Sequence, residues 1–418
     1  MRIVILTQYF PPEPAIKLSA IVRHLVAAGH EVQVLTSLPN LPQGKLYAGY
    51  KYAFIQREEL LGATILRTFV WPYRGRSTWK RVVHLASFAL SASLCCWRLK
   101  RFDLLYVYHP PLTISIPALI TTKIFRAPML YDVQDIWPEA GLAAGAIKQG
   151  ILYSIMSKIA RFVYDCASHI TVIAPEFKDL IAQQGIVSRK ISVIPNWTDE
   201  DCFEPKIPTG VRSRYGLPED AFIVMYAGNF GSSHGVGTLV EAAQLLRNES
   251  RIVFALSGSG AEYDRTCKTC ESLALPNVIL LGYIQQRSEL PYLYSCADVM
   301  LVHIRRSPSG AVSLPSRILA YMACARPILA CCEGAPRRLI ETACCGMGCE
   351  PESPERMAAL IVKAMRSRAI LQELGTNGCR YYREHFSETE TMEKLMALME
   401  SLVPPSCRTK AYAPLVKN

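Results

Sequence analysis

The chain has 418 residues, half of them apolar. That suits two domains with full cores and excludes a chain dominated by disorder. Its 46 Lys and Arg against 35 Asp and Glu leave a net charge of +11, which favours an anionic partner. The cations are scattered and no DNA- or RNA-reading signature occurs, so nucleic acid is the least favoured anion.

Residues 2–7 are a continuous apolar run, which predicts a buried parallel strand. The run is too short for a secretion leader, and prolines follow it where a cleavage site would stand. The expectation is a protein that stays in the cytoplasm. A loop at 8–14 follows, then a helix over 15–28 stopped by Gly29, then a strand at 31–36. This βαβ opening signals a doubly wound α/β sheet. It lacks G-x-G-x-x-G, and its second strand runs into Thr36 and Ser37 instead of an acid. NAD is therefore not expected there.

Residues 39–63 read as loop, with a short strand near 64–70. Trp79-Lys80-Arg81 then precedes a nearly all-apolar stretch at 82–94, and Trp97-Arg98-Leu99-Lys100-Arg101 closes it. Tryptophans and cations at both ends are what a membrane interface selects. The stretch is shorter than the roughly 20 residues needed to span. Two readings compete: a buried helix of the first domain, which is preferred, and a helix lying on an acidic leaflet through 79–101.

A strand at 102–108 ends in His109-Pro110-Pro111, and a helix covers 112–125. The next strand, 128–133, ends in Gln134-Asp135-Ile136-Trp137-Pro138-Glu139. Ligands in open α/β sheets sit beyond the carboxyl ends of strands. His109, Gln134, Asp135 and Glu139 all occupy such places. Taken singly, His109 reads equally well as a turn histidine and Asp135 as a helix N-cap. A helix at 148–167, a strand at 169–173, a helix at 175–184 and a strand at 191–194 complete a domain over 1–197. The polar, proline-containing stretch 198–220 reads as the linker.

The second half opens on an apolar β-branched run at 222–226. Ala227-Gly228-Asn229-Phe230-Gly231-Ser232-Ser233-His234-Gly235-Val236-Gly237 follows, then an amphipathic run to 246. That is strand, glycine-rich turn and helix. Such a turn offers backbone N–H groups and a helix N-terminus to an anion. A phosphate site and a ligand-free βα turn both remain open, because a lone glycine-rich loop is a weak motif. A strand at 251–256 ends in Ser257-Gly258-Ser259-Gly260, again without an acid. Helices at 261–273 and 287–295 flank a strand at 277–281. A strand at 298–303 leads to a loop at 304–314 carrying Arg305 and Arg306. Pro315 opens a helix to 323, a strand covers 326–330, and helices follow at 335–343, 354–367 and 388–402. Residues 404–418 read as a loose tail. The 15 cysteines are irregularly spaced, with one C-x-x-C at Cys267 and Cys270 and no second. They read as reduced, mostly buried thiols, and a zinc site is not expected.

The order of these motifs resembles the retaining glycosyltransferases of the GT-B fold, family 4, in the branch that builds bacterial surface polysaccharides (colanic-acid-type and N-acetylfucosaminyl transferases). The first-half pieces are Gln8-Tyr9-Phe10-Pro11-Pro12-Glu13, Tyr108-His109-Pro110-Pro111, Asp135-Ile136-Trp137-Pro138-Glu139 and Ile194-Pro195-Asn196. Those of the second half are Tyr226-Ala227-Gly228-Asn229, Gly258-Ser259-Gly260, Pro315-Ser316-Arg317 and Arg326-Pro327-Ile328-Leu329. Each is weak alone; their order from residue 1 to about 402 carries the likeness.

The resemblance implies two Rossmann-like domains facing across a cleft. The first (1–197) would bind the acceptor and the second (221–385) the nucleotide-sugar, with a helix at 386–403 returning to the first. It implies a nucleotide-diphosphate-sugar donor, UDP favoured, a lipid-linked saccharide acceptor, and peripheral attachment to the inner face of the cytoplasmic membrane. No metal or other cofactor is expected, since cations and N–H dipoles stabilise the departing diphosphate. By resemblance, Gly228, Asn229 and Gly231 form the phosphate turn, and Arg317 with Ser316 holds diphosphate and ribose. His109 touches the donor sugar, Gly258 and Gly260 lie where base and ribose pass, and Arg305, Asp135 and Glu13 join the substrate-binding set. Three departures stand out. His234 replaces the usual lysine, so charge there is expected to depend on pH near neutrality, and Arg317 with Arg305 or Arg306 must carry the fixed charge. Val312 and Ala320 stand where two glutamates are usual. Gln134 replaces a histidine. A degenerate protein that binds nucleotide or a partner without turnover, and a sugar-nucleotide epimerase, are the alternative functions.

Overall fold

The computed structural model describes residues 1–75, 77–143, 147–206 and 210–405. All but the first two residues of the expected tail fall outside them. The chain divides into two compact units, one made of residues 1–196 with the segment from 389, the other of residues 197–388.

The first unit begins β1 (Arg2–Leu6), α1 (Ile16–Ala27), β2 (Glu31–Ser37), β3 (Ile55–Leu60), β4 (Ala63–Thr68) and α2 (Thr78–Cys95). It continues β5 (Leu104–His109), α3 (Ser115–Phe125), β6 (Met129–Val133), α4 (Glu139–Ala143) and α5 (Ile151–Cys166). β7 (His169–Val172), α6 (Pro175–Gln183) and β8 (Ile191–Val193) complete the alternation. The sheet order is β3-β4-β2-β1-β5-β6-β7-β8, parallel except that β3 runs antiparallel to β4. Ile3 of β1 pairs with Val32 on one side and Leu104 on the other. The strand order therefore reverses between β1 and β5, and the crevice at that switch opens beyond their carboxyl ends.

The second unit contains α7 (Val211–Arg214), β9 (Phe222–Asn229), α8 (Val236–Leu245), β10 (Ile252–Ser259), α9 (Tyr263–Ser272) and β11 (Val278–Gly282). Next come α10 (Leu290–Ser295), β12 (Val299–His303), α11 (Pro308–Val312), α12 (Ser316–Ala323) and β13 (Ile328–Cys331). α13 (Ala335–Thr342), β14 (Gly346–Cys349), α14 (Pro354–Arg366) and α15 (Arg368–His385) follow. Its sheet is parallel with order β11-β10-β9-β12-β13-β14, reversing between β9 and β12. β9 shows why its sequence is apolar throughout. Ile223, Met225 and Ala227 feed one core, while Phe222, Val224 and Tyr226 feed the other, as a strand covered on both faces requires.

Three expectations are corrected, and one stretch left unassigned is filled. The stretch at 198–220 is part of the second unit: Phe203 and Leu217 are buried in its core. Arg212 donates to Cys296 O, Glu219 O and Ala221 O and pairs with Asp298 at 2.9 Å. The loop at 39–63 contains β3, whose partly exposed residues make it a polar edge strand. The segment at 82–94 buries only one side of α2, through His84, Phe88, Ala92 and Cys95; Val82, Leu90 and Leu94 stay exposed. Residues 368–385, unassigned from sequence, form α15. The last helix, α16 (Glu388–Ser401), buries Met392, Leu395, Met396 and Met399, and from Thr389 it groups with the first unit.

Candidate functional site

At the switch point of the second sheet, a pocket of about 330 Å³ is lined by Gly228, Asn229, His234, Ser313, Pro315, Ser316 and Arg317. Gly228 and Asn229 end β9, and Ser316 and Arg317 open α12. α12 holds its place through Ile318, Leu319, Tyr321 and Met322, all buried. Tyr321 Oη also donates to Ala227 O at 2.6 Å.

Arg317 is the fixed cation of the pocket. Its Nη1 donates to Tyr226 Oη at 2.9 Å, and its Nη2 donates to His234 Nδ1 at 3.1 Å and to His303 O at 3.4 Å. The guanidinium carbon sits 4.9 Å from the centre of the Tyr226 ring. Its Nε is buried without a partner. A Cβ on Gly228 would come within 2.6 Å of Nη1, so glycine is what lets the guanidinium lie against the turn.

The two histidines behind Arg317 have defined tautomers. His303 Nδ1 meets His234 O at 2.7 Å, and Nε2 accepts from Glu352 N at 3.0 Å. A carbonyl cannot donate and an N–H cannot accept, so His303 is neutral with its proton on Nδ1. His234 Nδ1 faces a donor, so its proton rests on Nε2. Burial, then the neighbouring Arg317, pushes the His234 pKa down to about 4. The expectation that its charge varies near neutrality is corrected: His234 is uncharged there.

Arg305 and Arg306 lie off the pocket lining. Arg306 pairs with Glu333 at 2.8 Å, and Arg305 stands 3.9 Å from Glu352. Gly231, Gly258 and Gly260 are also off the lining. Gly258 has φ +145° and a Cβ there would overlap Gly228 O; Gly260 has φ +149° and its Cβ would overlap Asn229 Oδ1. Both glycines let the end of β10 and the residue after it lie at close range against the turn. Ser313, which lines the pocket, was not singled out in the sequence. No Asp or Glu lines this pocket; Ala320 is buried on α12, and Val312 lies on α11. Among the described residues, no three His, Cys, Asp or Glu side chains converge on a metal position. A larger cavity of about 630 Å³ beside α13 and α14 has both of its arginines paired, Arg337 with Glu341 and Arg356 with Glu350, and Lys363 also lines it.

The first unit carries a second set of candidates at its own strand ends. His109 closes β5, is 1% exposed, and has no hydrogen-bond partner on either ring nitrogen. Burial pushes its pKa down to about 3, so it is a neutral imidazole. Asp135 reaches solvent, yet the protein crowded around it raises its pKa to about 6. Beneath them lies a network the sequence reading missed. Asp132 accepts from Tyr106 Oη at 2.6 Å, Gln134 Nε2 and Thr171 Oγ1 at 2.8 Å, and Lys17 Nζ at 3.2 Å. Gln134 Oε1 in turn accepts from Asn196 Nδ2 at 2.9 Å. A lone acid inside the apolar strand Met129–Val133 was the available signal. Glu13 is engaged by backbone donors. It is 3% exposed, and its carboxylate accepts from the backbone N–H groups of Phe10, Asn40 and Leu41 at 3.2, 2.9 and 2.9 Å. That consumes it as a clamp between two loops.

Residues 14–197 match the family model described as a glycosyl transferase 4-like domain, and residues 210–380 match that of the glycosyl transferases group 1. The chain belongs to the glycosyltransferases. This transferase is 29% identical over 361 residues to WcaI of Escherichia coli strain K12, a glycosyl transferase named for colanic acid biosynthesis; the match covers 82% of this chain and 86% of that one. It is 27% identical over 300 residues to the Pseudomonas aeruginosa glycosyltransferase WbjE, covering 71% and 73%. Its fold is shared with Anabaena HepE, solved in complex with UDP, at a TM-score of 0.70 and 16% identity over 96% of this chain and all of that one.

Proposed function

We propose that the transferase moves a sugar from a nucleoside-diphosphate-sugar, with UDP as carrier, to a lipid-linked saccharide, with retention at the anomeric carbon. The product belongs to an extracellular polysaccharide or O-antigen, a reading supported by the likeness to WcaI, which is named for colanic acid biosynthesis. The observation that carries the reading is Arg317: a cation at the carboxyl-end switch point, between a glycine turn and the start of α12. Breaking the sugar–phosphate bond builds negative charge on the diphosphate. Arg317 and the N-terminus of α12 supply positive potential at that place, so no metal is assigned. The sugar passes through an oxocarbenium-like state, and the departing phosphate oxygen takes the acceptor hydroxyl proton. No protein carboxylate then has to serve as base, which fits a pocket lined by none. In this reading His109, whose ring nitrogens have no hydrogen-bond partner, serves the donor sugar, and Asp135 serves the acceptor.

The second reading, nucleotide binding without turnover, rests on Val312 and Ala320 standing where carboxylates are usual. Incubating the protein with a panel of UDP- and GDP-sugars and a bacterial membrane lipid extract separates the two. Transfer from a UDP-sugar with a retained anomer is expected. Binding without transfer supports the second reading, and absence of both binding and transfer sinks the proposal.

A further inference from the structure

Of the 20 exposed large apolar side chains among the described residues, 13 lie on α2 with the short turn after it, on α3 and on α5. Each helix presents them as one stripe. On α2 the stripe is Trp79, Val82, Leu90 and Leu94, continued by Trp97, with Leu90 64% exposed. Steps of three, four or eight residues keep all five on one face. On α3 it is Ile116, Ile120 and Ile124 at a strict four-residue step. On α5 it runs Leu152, Ile155, Ile159 and Phe162, beginning beside Ile151, which is 83% exposed. α3 packs against both α2 and α5, so the three stripes form one surface of the first unit. Scattered exposed apolar residues are ordinary; a contiguous field of this kind marks an interaction face.

The charge around the field is one-sided. From Thr78 to Arg101 there are five cations and no acid. α3 carries Lys123 and no acid, with Arg126 just after it, and α5 carries Lys158 and Arg161 against Asp165 alone. Tryptophans stand at both ends of the α2 stripe. No helix among the described residues is long and apolar enough to cross a membrane.

We infer that this three-helix face is a docking surface for an anionic lipid bilayer, with α2, α3 and α5 lying in the plane of the interface. Apolar stripes enter the headgroup boundary, and the surrounding cations meet lipid phosphates. The surface is wider than the 79–101 segment singled out in the sequence, because the fold adds two stripes from elsewhere in the chain. α3 follows directly from the His109 turn that ends β5, so a docked face would hold that strand end next to the leaflet. The inference deepens the lipid-linked acceptor reading by naming the surface that would deliver it, and it stands independently of donor chemistry.

Vesicle flotation with the full chain tests it. The protein should float with phosphatidylglycerol-containing vesicles and stay behind with phosphatidylcholine alone, and salt should weaken the partition. The triple variant L90Q/I120Q/I155Q, one exposed position per helix, should lower the partition at least tenfold. K123A/K158A should weaken it although both residues lie outside 79–101. UDP binding by calorimetry should be unchanged in each variant, which separates a failure here from a failure of the transferase reading. No flotation of the wild type, or equal flotation of the triple variant, overturns the inference. So does a wild-type dimer that the triple variant turns into monomer without any vesicle binding.

Discussion

Arg317 Nη2 and His234 Nδ1 stand 3.1 Å apart, and a guanidinium can only donate. That contact sets the tautomer of His234; burial first, then the charge of Arg317, keeps the imidazole neutral and leaves Arg317 as the fixed charge among the residues lining the pocket.

Arg317→Ala should therefore weaken UDP binding at least tenfold, read by calorimetry. Arg317→Lys should recover little, because one ammonium does not reproduce the planar fork that reaches Tyr226 and His234 together. Unchanged affinity in the alanine variant would refute the assigned role.

The His234 pKa carries a pH signature. Its folded value, about 4, lies below the ordinary 6.5. The folded protein thus holds fewer protons than the unfolded chain in that window. Stability from this group is complete above pH 6.5 and is lost as pH falls toward 4. A bound diphosphate reverses the bias, since a nearby anion favours the imidazolium. UDP-glucose, whose phosphates do not titrate here, should bind more tightly at pH 5.5 than at pH 7.5 and take up protons. Calorimetry in two buffers of different ionisation enthalpy measures that uptake, and His234→Gln should abolish it. His234→Lys should tighten binding severalfold at pH 7.5 and flatten the profile.

Asp135 titrates in the opposite sense. Its carboxyl is raised from 3.8 to about 6, so ionising it works against folding as pH climbs through that range. Asp135→Asn should raise Tm slightly at pH 8 and leave it unchanged near pH 4. If Asp135 meets the acceptor as its ion, wild-type kcat/KM should rise through pH 6, and the asparagine variant should lack that step.

Gly258→Ala places a methyl group onto Gly228 O at a φ that L-residues avoid. The paired ends of β9 and β10 must shift, at a cost of about 2 kcal/mol or more and a Tm lowered by roughly 5 °C. Thermal unfolding followed by circular dichroism checks it. A Tm within 1 °C of wild type, on the order of experimental scatter, would show that the strand ends tolerate the methyl group.

The doubly wound architecture was legible because its central strands are buried on both faces. β1, β9 and β12 spell out apolar runs that only such a position explains. What escaped was local. β3 reads Ile-Gln-Arg-Glu-Glu-Leu, the polar pattern of a protected edge. β14 is Gly-Met-Gly-Cys, which has no strand propensity and is held by pairing with β13. α15 carries Gly375 and Gly378 in its interior; a Cβ at the first would overlap Ala325 O, so helix propensity yields to close packing. At the site, Gly228, Asn229, His234, Ser316 and Arg317 were readable from motif order. The Lys17–Asp132 pair was not, because their contact joins residues 115 positions apart. The solvent-facing stripes of α3 and α5 were also missed, since burial of one helix face against the other depends on neighbours no local pattern names.

Every side chain lining the Arg317 pocket comes from residues 228–317, and the His109 and Asp135 set comes from the other sheet. In the proposed reading the carrier nucleotide and the acceptor are thus recognised by residues of separate sheets, so changes around Asp135 retune which saccharide is accepted while the carrier nucleotide stays the same.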